Sequence, residues 1–264
     1  MVLLRSALIT GASSGIGRAL AEACAAPGVI LHLSGRHVAR LAETEAACRS
    51  RGAEVVSNVL DVTDAGAMAD WIAGAGPLDL VVANAGISAG TGGHAETAAQ
   101  CRKIFAVNLD GMLNTVLPAL DAMAAQPAAG GVRGRIAVVA SIAAFVAAPG
   151  APAYCAAKAA ADYWTVATAQ SARRNGIILT SVCPGYVRTA MTAKNPFPMP
   201  GLMDADRAAR IILRGIAAGR RRVVFPWWMG IAARIAGLLP PRLSGALLSV
   251  PPAKPSLPEG SAGL

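Results

Sequence analysis

Short β-rich apolar runs recur along the chain at 7–9, 29–34, 54–59, 78–83, 135–140, 177–183 and 222–225. Helical stretches separate them; the first, at 18–26, is rich in Ala, the best helix former. Alternation of this kind predicts βαβ units, and so a parallel sheet of about seven strands with helices on both faces. Right-handed crossovers then bring the carboxyl ends of the strands to one edge. The residues just past several strands, Gly11, Asn84, Ser141 and Pro184, fall together there, and a ligand crevice is expected beside them.

Two patterns carry candidate chemistry. The first strand runs through Thr10 into Gly11, Ser13, Ser14, Gly15, Ile16 and Gly17, and then into helix. Glycines so spaced permit a tight turn and let backbone approach a pyrophosphate, while the helix N-terminus offers free N–H groups to the anion. The spacing is GxxxGxG, not the commoner GxGxxG. The second pattern is Tyr154 and Lys158, four residues apart in a helical segment. One turn apart, both side chains leave the same face, and an ammonium beside a phenol favours proton exchange near neutrality. Tyr163 and Tyr186 have no Lys four residues on and are discounted as catalysts.

With Asp61-Val62 after the third strand, Asn84-Ala85-Gly86 after the fourth, then Asn108, Ser141, the Tyr154/Lys158 pair, Pro184-Gly185 and Thr189, the chain resembles the classical short-chain dehydrogenase/reductase family from about residue 5 to about 190. It departs at Ala83, where the family often has a second Asn. The resemblance implies a Rossmann-type doubly wound sheet and hydride transfer between a nicotinamide dinucleotide and a carbonyl or secondary alcohol. Tyr154 would pass the proton, its pKa lowered by Lys158 and by the oxidised nicotinamide. Lys158 would also bind the nicotinamide ribose, and Ser141 would hydrogen-bond the substrate oxygen. Asn108 would hold the helix and a water that relays protons to Lys158. The cofactor would lie on Gly11, Ser13, Ser14, Gly15, Ile16 and Gly17, with Asp61 and Val62 at the adenine. Its path would continue past Asn84, Ala85 and Gly86 to Tyr154 and Lys158, then Pro184 and Gly185, with Val187 and Thr189 at the carboxamide.

Cofactor choice turns on the end of the second strand. NAD enzymes place a carboxylate near this point for the ribose hydroxyls, but here Gly35 is followed by Arg36. A guanidinium binds a 2′-phosphate by paired hydrogen bonds, which favours NADP(H), with NAD(H) the alternative.

Composition fits one α/β domain: 264 residues, 54% hydrophobic, with no internal repeat or linker. The net charge of +9 comes from 24 basic residues, only four of them Lys, and no aromatic-interleaved patch accompanies them, so nucleic acid is not an expected partner. Arg220 to Arg222 read as a solvated turn before a strand. The five Cys are odd in number and scattered, implying neither a disulfide framework nor a metal site. The few apolar residues before Gly11 belong to the first strand, so no secretory leader and a cytoplasmic location are expected.

The catalytic domain is read as 1–225, with a Pro-rich substrate loop at 189–203 in which Phe197 and Met199 are candidate apolar contacts. An apolar helical extension at 226–250, opened by Trp227 and Trp228, is expected to cover the cleft and a second subunit of a homodimer or homotetramer; docking on a membrane surface is the less favoured use. The Pro-, Gly- and Ser-rich 251–264 is expected to be disordered. The substrate would be a small or lipophilic carbonyl or alcohol. An acyl-thioester or sugar reductase, or a dinucleotide sensor without catalysis, are the alternatives.

Overall fold

The computed structural model describes residues 4–193, 195–249 and 254–257. Seven strands form its main sheet: β1 (Ser6–Ile9), β2 (Ile30–Gly35), β3 (Glu54–Val59), β4 (Leu80–Ala83), β5 (Gly134–Val139), β6 (Ile177–Pro184) and β9 (Arg222–Phe225). Their order is β3-β2-β1-β4-β5-β6-β9, and each neighbouring pair is parallel. The chain turns back between β1 and β4, and at such a switch point the carboxyl ends open into a crevice.

Helices α1 (Gly15–Cys24), α2 (Val38–Arg49) and α7 (Ala205–Ala217) cover one face of the sheet, and α3 (Ala65–Ala73), α5 (Gly111–Ala125) and α6 (Pro152–Arg174) cover the other. Side chains alternate across a strand, so Ala7 and Ile9 of β1 pack under Leu20 and Ile212, while Leu8 joins Met68, Val116 and Ile136 on the far side. Helix α4 (Ala98–Phe105) meets α5 through a π-helical turn, Ala106–Asp110.

The strands β3 and β9 match the expected runs, and the other five differ from them by one or two residues. Helix α1 opens at Gly15 rather than at residue 18, because the last two glycines of the loop are already in the helix. Two strands have no counterpart among the expected runs: β7 (Val187–Arg188) pairs with β8 (Met203–Asp204). This pairing, with the ion pair from Arg188 Nε to Asp204 Oδ1 at 3.0 Å, closes the neck of the loop between them. Lys194, within that loop, lies outside the described residues.

Arg222 corrects the reading of Arg220 to Arg222 as a solvated turn. It is the first residue of β9, and its Nε and Nη2 donate to Oδ1 and Oδ2 of Asp162, at 2.9 and 2.7 Å. Asp162 is fully buried on α6 and also accepts from Ser181 Oγ at 2.6 Å. The pair ties α6 to β6 and β9.

Beyond the sheet, α8 (Trp227–Leu238) and α9 (Pro241–Leu248) form the apolar extension. Helix α8 docks on the turn after β5: Arg234 stacks 4.3 Å from the Phe145 ring centroid, and a side chain at Gly237 would strike the Phe145 carbonyl. The outer faces expose Trp227, Ile231, Ile235, Leu238, Leu243 and Leu247. Among the described residues no helix is long and apolar enough to cross a membrane. The expectation of disorder over 251–264 does not hold for 254–257, which hydrogen-bond to the rim of the cleft. Val250, 251–253 and 258–264 lie outside the described residues.

Candidate active site

The carboxyl edge of the sheet carries a cleft of about 540 Å³. Its floor begins in the glycine loop. Thr10, at the end of β1, takes backbone N–H bonds from Asn84 and Ala85 at 3.0 and 3.1 Å on its Oγ1. Asn84 answers with its amide nitrogen on the carbonyls of Thr10 and Gly11, so its side chain fixes the loop. Gly11 and Gly15 have φ of +66° and +56°, which only glycine adopts cheaply. A Cβ on Gly17 would lie 2.3 Å from the Gly11 carbonyl oxygen; this residue lets α1 pack close and does not line the cleft. No side chain caps α1 and no acidic residue lies in its first turn. Open N–H groups, the helix dipole and the bare backbone make a cradle that fits a pyrophosphate.

Ser141 follows β5 and caps a single 3₁₀ turn, Ile142–Phe145, by accepting the Ala143 N–H at 3.1 Å. Its O–H is thereby left for the cleft. Tyr154 stands in the first turn of α6, which begins at Pro152, and Ser141 hydrogen-bonds to it. Lys158 lies one turn on, 5% exposed, with Nζ donating to the Val139 carbonyl at 2.8 Å and 6.0 Å from the Tyr154 ring centroid. Both side chains leave the same face, as their spacing requires.

The protonation states differ from expectation. Burial pushes Tyr154 up to about 12, with the Ser141 hydrogen bond opposing it, and brings Lys158 down to about 8. Lys158 does not lower the phenol because Nζ is bound to Val139 and stands off the ring. At neutral pH the chain's own groups therefore hold Tyr154 protonated and Lys158 mostly charged.

Asn108 sits in the π-helical turn, 1% exposed. Its Nδ2 donates to the carbonyls of Ile87 and Ile104 at 2.9 and 3.0 Å, and its Oδ1 accepts the Ile87 N–H at 3.3 Å. It shares no hydrogen bond with Lys158; the two approach Gly86 instead, where a Cβ would lie 2.7 Å from Asn108 Oδ1 and 3.4 Å from Lys158 Nζ. A π-turn is common at functional sites, and here it turns Asn108 inward.

At the far end of the cleft, Arg36 Nη1 lies 3.5 Å from Asp61 Oδ2, both side chains about two-fifths exposed. Burial works to raise the Asp61 carboxyl, but the N–H and Oγ1 of Thr63, with Arg36, outweigh it and hold it below its ordinary value. An exposed pair of this kind is worth ~0–1 kcal/mol. Gly35 is also constrained by packing. A Cβ there would meet Ser13 Cβ at 3.0 Å, so β2 and the glycine loop pass close because Gly35 has no side chain.

Every predicted site residue except Gly17 and Met199 lines the cleft, including Ile16, Val62, Ala85, Pro184, Gly185, Val187 and Thr189. Thr192, which no sequence pattern singles out, anchors this region by donating from Oγ1 to the Val187 carbonyl at 2.6 Å and accepting the Thr189 N–H at 3.0 Å. Tyr186 and Phe197 meet edge to face, ring centroids 6.1 Å apart, and with Met229 of α8 and Leu248 of α9 they give the end of the cleft beyond Tyr154 an apolar wall. Lys254 also reaches it. Phe197 is the expected apolar contact, whereas nothing in the pattern of 251–264 signals Lys254.

The family model for short chain dehydrogenase matches residues 5–197. An uncharacterized oxidoreductase of Myxococcus xanthus is 36% identical over 240 residues, covering 89% of this chain and 93% of its own. Among solved structures, a short chain dehydrogenase/reductase from Burkholderia phymatum in complex with NAD superposes with a TM-score of 0.79 at 24% identity, covering 88% of this chain and 92% of that one. A short-chain dehydrogenase from Sphingobium yanoikuyae in complex with NADPH gives 0.77 at 24%, covering 89% and 95%. The chain belongs to the short-chain dehydrogenase/reductase family, a family of oxidoreductases.

Proposed function

We propose that this chain is an NADP(H)-dependent reductase that interconverts a carbonyl and a secondary alcohol on a small or lipophilic organic substrate. The observation that carries the reading is the convergence of Ser141, Tyr154 and Lys158 on one cleft with the open glycine cradle. The fold neighbours bound to NAD and NADPH support a dinucleotide lying there. Gly11, Gly15 and the start of α1 would take the pyrophosphate, Arg36 the 2′-phosphate, Lys158 the nicotinamide ribose, and Val187 and Thr189 the carboxamide. When bound, the reduced nicotinamide supplies a hydride.

Ser141 donates its O–H to the carbonyl oxygen and steadies developing negative charge. Tyr154 delivers its hydroxyl proton to the same oxygen. Lys158, with donors beyond the one spent on Val139, would replenish that proton. Asn108 fixes the backbone around Ile87 and Gly86 that borders Lys158, and acts as a positioning residue. Tyr154 held protonated is the form that donates in the reductive direction. The test is carbonyl-dependent consumption of NADPH across a panel of ketones and aldehydes; tight dinucleotide binding without any turnover would overturn the reading.

Two further results are expected. With Lys158 brought down to about 8, its ammonium is present below that pH and lost above it, so kcat for reduction falls as pH rises through about 8. A profile flat across that range would contradict the assignment. In the cofactor arm, Arg36→Ala lowers NADPH affinity by about 10- to 100-fold, the worth of a charge-assisted hydrogen bond, and leaves NADH affinity unchanged by calorimetry. Substituting Gly35 would displace Ser13 and confound the measurement. If the wild type already binds NADH more tightly than NADPH, the Arg36 reading is wrong.

A further inference from the structure

Four residues beyond α9 return to the mouth of the cleft. The Gly92 N–H donates to the Lys254 carbonyl at 2.8 Å and the Gly90 N–H to the Pro255 carbonyl at 2.9 Å. The Leu257 N–H donates to Gln100 Oε1 at 2.8 Å, and the Leu257 side chain packs on a small core with Ile104 and Ala157. Gly90 makes room: a Cβ there would lie 2.5 Å from Lys254 Cβ. These contacts carry the Lys254 side chain inward, where Nζ donates to Ser88 Oγ at 3.0 Å and lies 4.9 Å from the Tyr154 ring centroid.

Among the described residues no carboxylate pairs with this ammonium. Burial lowers its pKa, a sign that the charge is poorly compensated where it sits. The surrounding substrate end is apolar, built from Ile142, Val146, Phe197, Met229 and Leu248. Besides Lys158, Lys254 is the one cation among the described residues at this end. A half-buried cation in an apolar wall gains most from an anion that enters with the ligand.

We propose that Lys254 is a specificity-determining residue and that the substrates are oxo acids and the corresponding hydroxy acids. The carboxylate takes Lys254 Nζ, which Ser88 Oγ holds in place, the reacting carbonyl faces Tyr154, and the apolar remainder lies against Phe197, Met229 and Leu248. This rests on the reading of Tyr154 as proton donor.

The test compares oxo acids of several chain lengths with their methyl esters, in the wild type, Lys254→Met and Lys254→Arg. Calorimetric binding of hexanoate and hexanol to the three proteins supplies a readout free of turnover. The wild type is expected to favour acid over ester in kcat/KM by about 10- to 100-fold, as a charge-assisted contact gives. Lys254→Met removes that preference by slowing the acid alone, and Lys254→Arg keeps most of it. Hexanoate binds the wild type and not Lys254→Met. Equal rates on acid and ester in the wild type, or an equal fall for both in Lys254→Met, would overturn the proposal. If no carbonyl compound turns over yet hexanoate binding depends on Lys254, the reductase reading fails and the anion site stands. If turnover is seen and hexanoate binds wild type and Lys254→Met alike, the anion site alone fails.

Discussion

Replacing Tyr154 with Phe is expected to leave dinucleotide affinity within about twofold while turnover falls by about 10²- to 10⁴-fold, the range that a general acid supplies. The ring remains to fill its place beside Cys155 and under Lys254, and the glycine cradle is untouched, so binding survives. Lost are the proton that must reach the carbonyl oxygen and the partner of the Ser141 hydroxyl. Because the proton is needed only as the oxygen becomes an alkoxide, the loss belongs in kcat more than in KM. Steady-state rates at saturating NADPH, with calorimetry on the same preparation, check both halves. Retention of more than about a tenth of the wild-type rate would remove Tyr154 from its role.

The largest effect on stability is expected away from the cleft, at Arg222. Asp162 is fully buried, whereas Arg222 is 28% exposed, and the two partners should therefore differ when each is removed. Arg222→Met leaves a carboxylate in the interior with, among the described residues, Ser181 and Cys183 as its side-chain donors, and costs about 3–5 kcal/mol. Asp162→Asn leaves a cation that can recruit water, and costs less. Denaturant unfolding of both variants measures the order. A smaller loss for Arg222→Met than for Asp162→Asn would show that the carboxylate does not depend on its guanidinium.

The alternation of β-rich runs with helical stretches reveals the seven strands, because a sheet buried on both faces leaves each strand as one short apolar run. The glycine loop and the Tyr154/Lys158 spacing are legible for a similar reason: backbone approach and a shared helical face are properties of local sequence. Contacts set by distant partners are not. Arg222 reads as one of three exposed arginines until β9 is laid beside β6 and Asp162 is found behind it. The two-residue strands β7 and β8 carry no periodicity, being too short to show one. The placement of Lys254 rests on Gly90, Gly92 and Gln100, more than 150 residues earlier, and the Pro-rich composition around it signals only a lack of core. The Tyr154 protonation state is not legible either, because helical spacing says which face two groups share, and not how far burial and a competing carbonyl separate their charges.

Hydride transfer can be followed with an isotope. NADPH carrying deuterium at its transferable position is incubated with the protein and the carbonyl panel, and the products are weighed by mass spectrometry. One deuterium is expected on the carbinol carbon of the product alcohol, formed in step with oxidised cofactor by the wild type and nearly absent with Tyr154→Phe. Labelled cofactor that binds and stays unchanged beside every carbonyl compound would contradict hydride transfer.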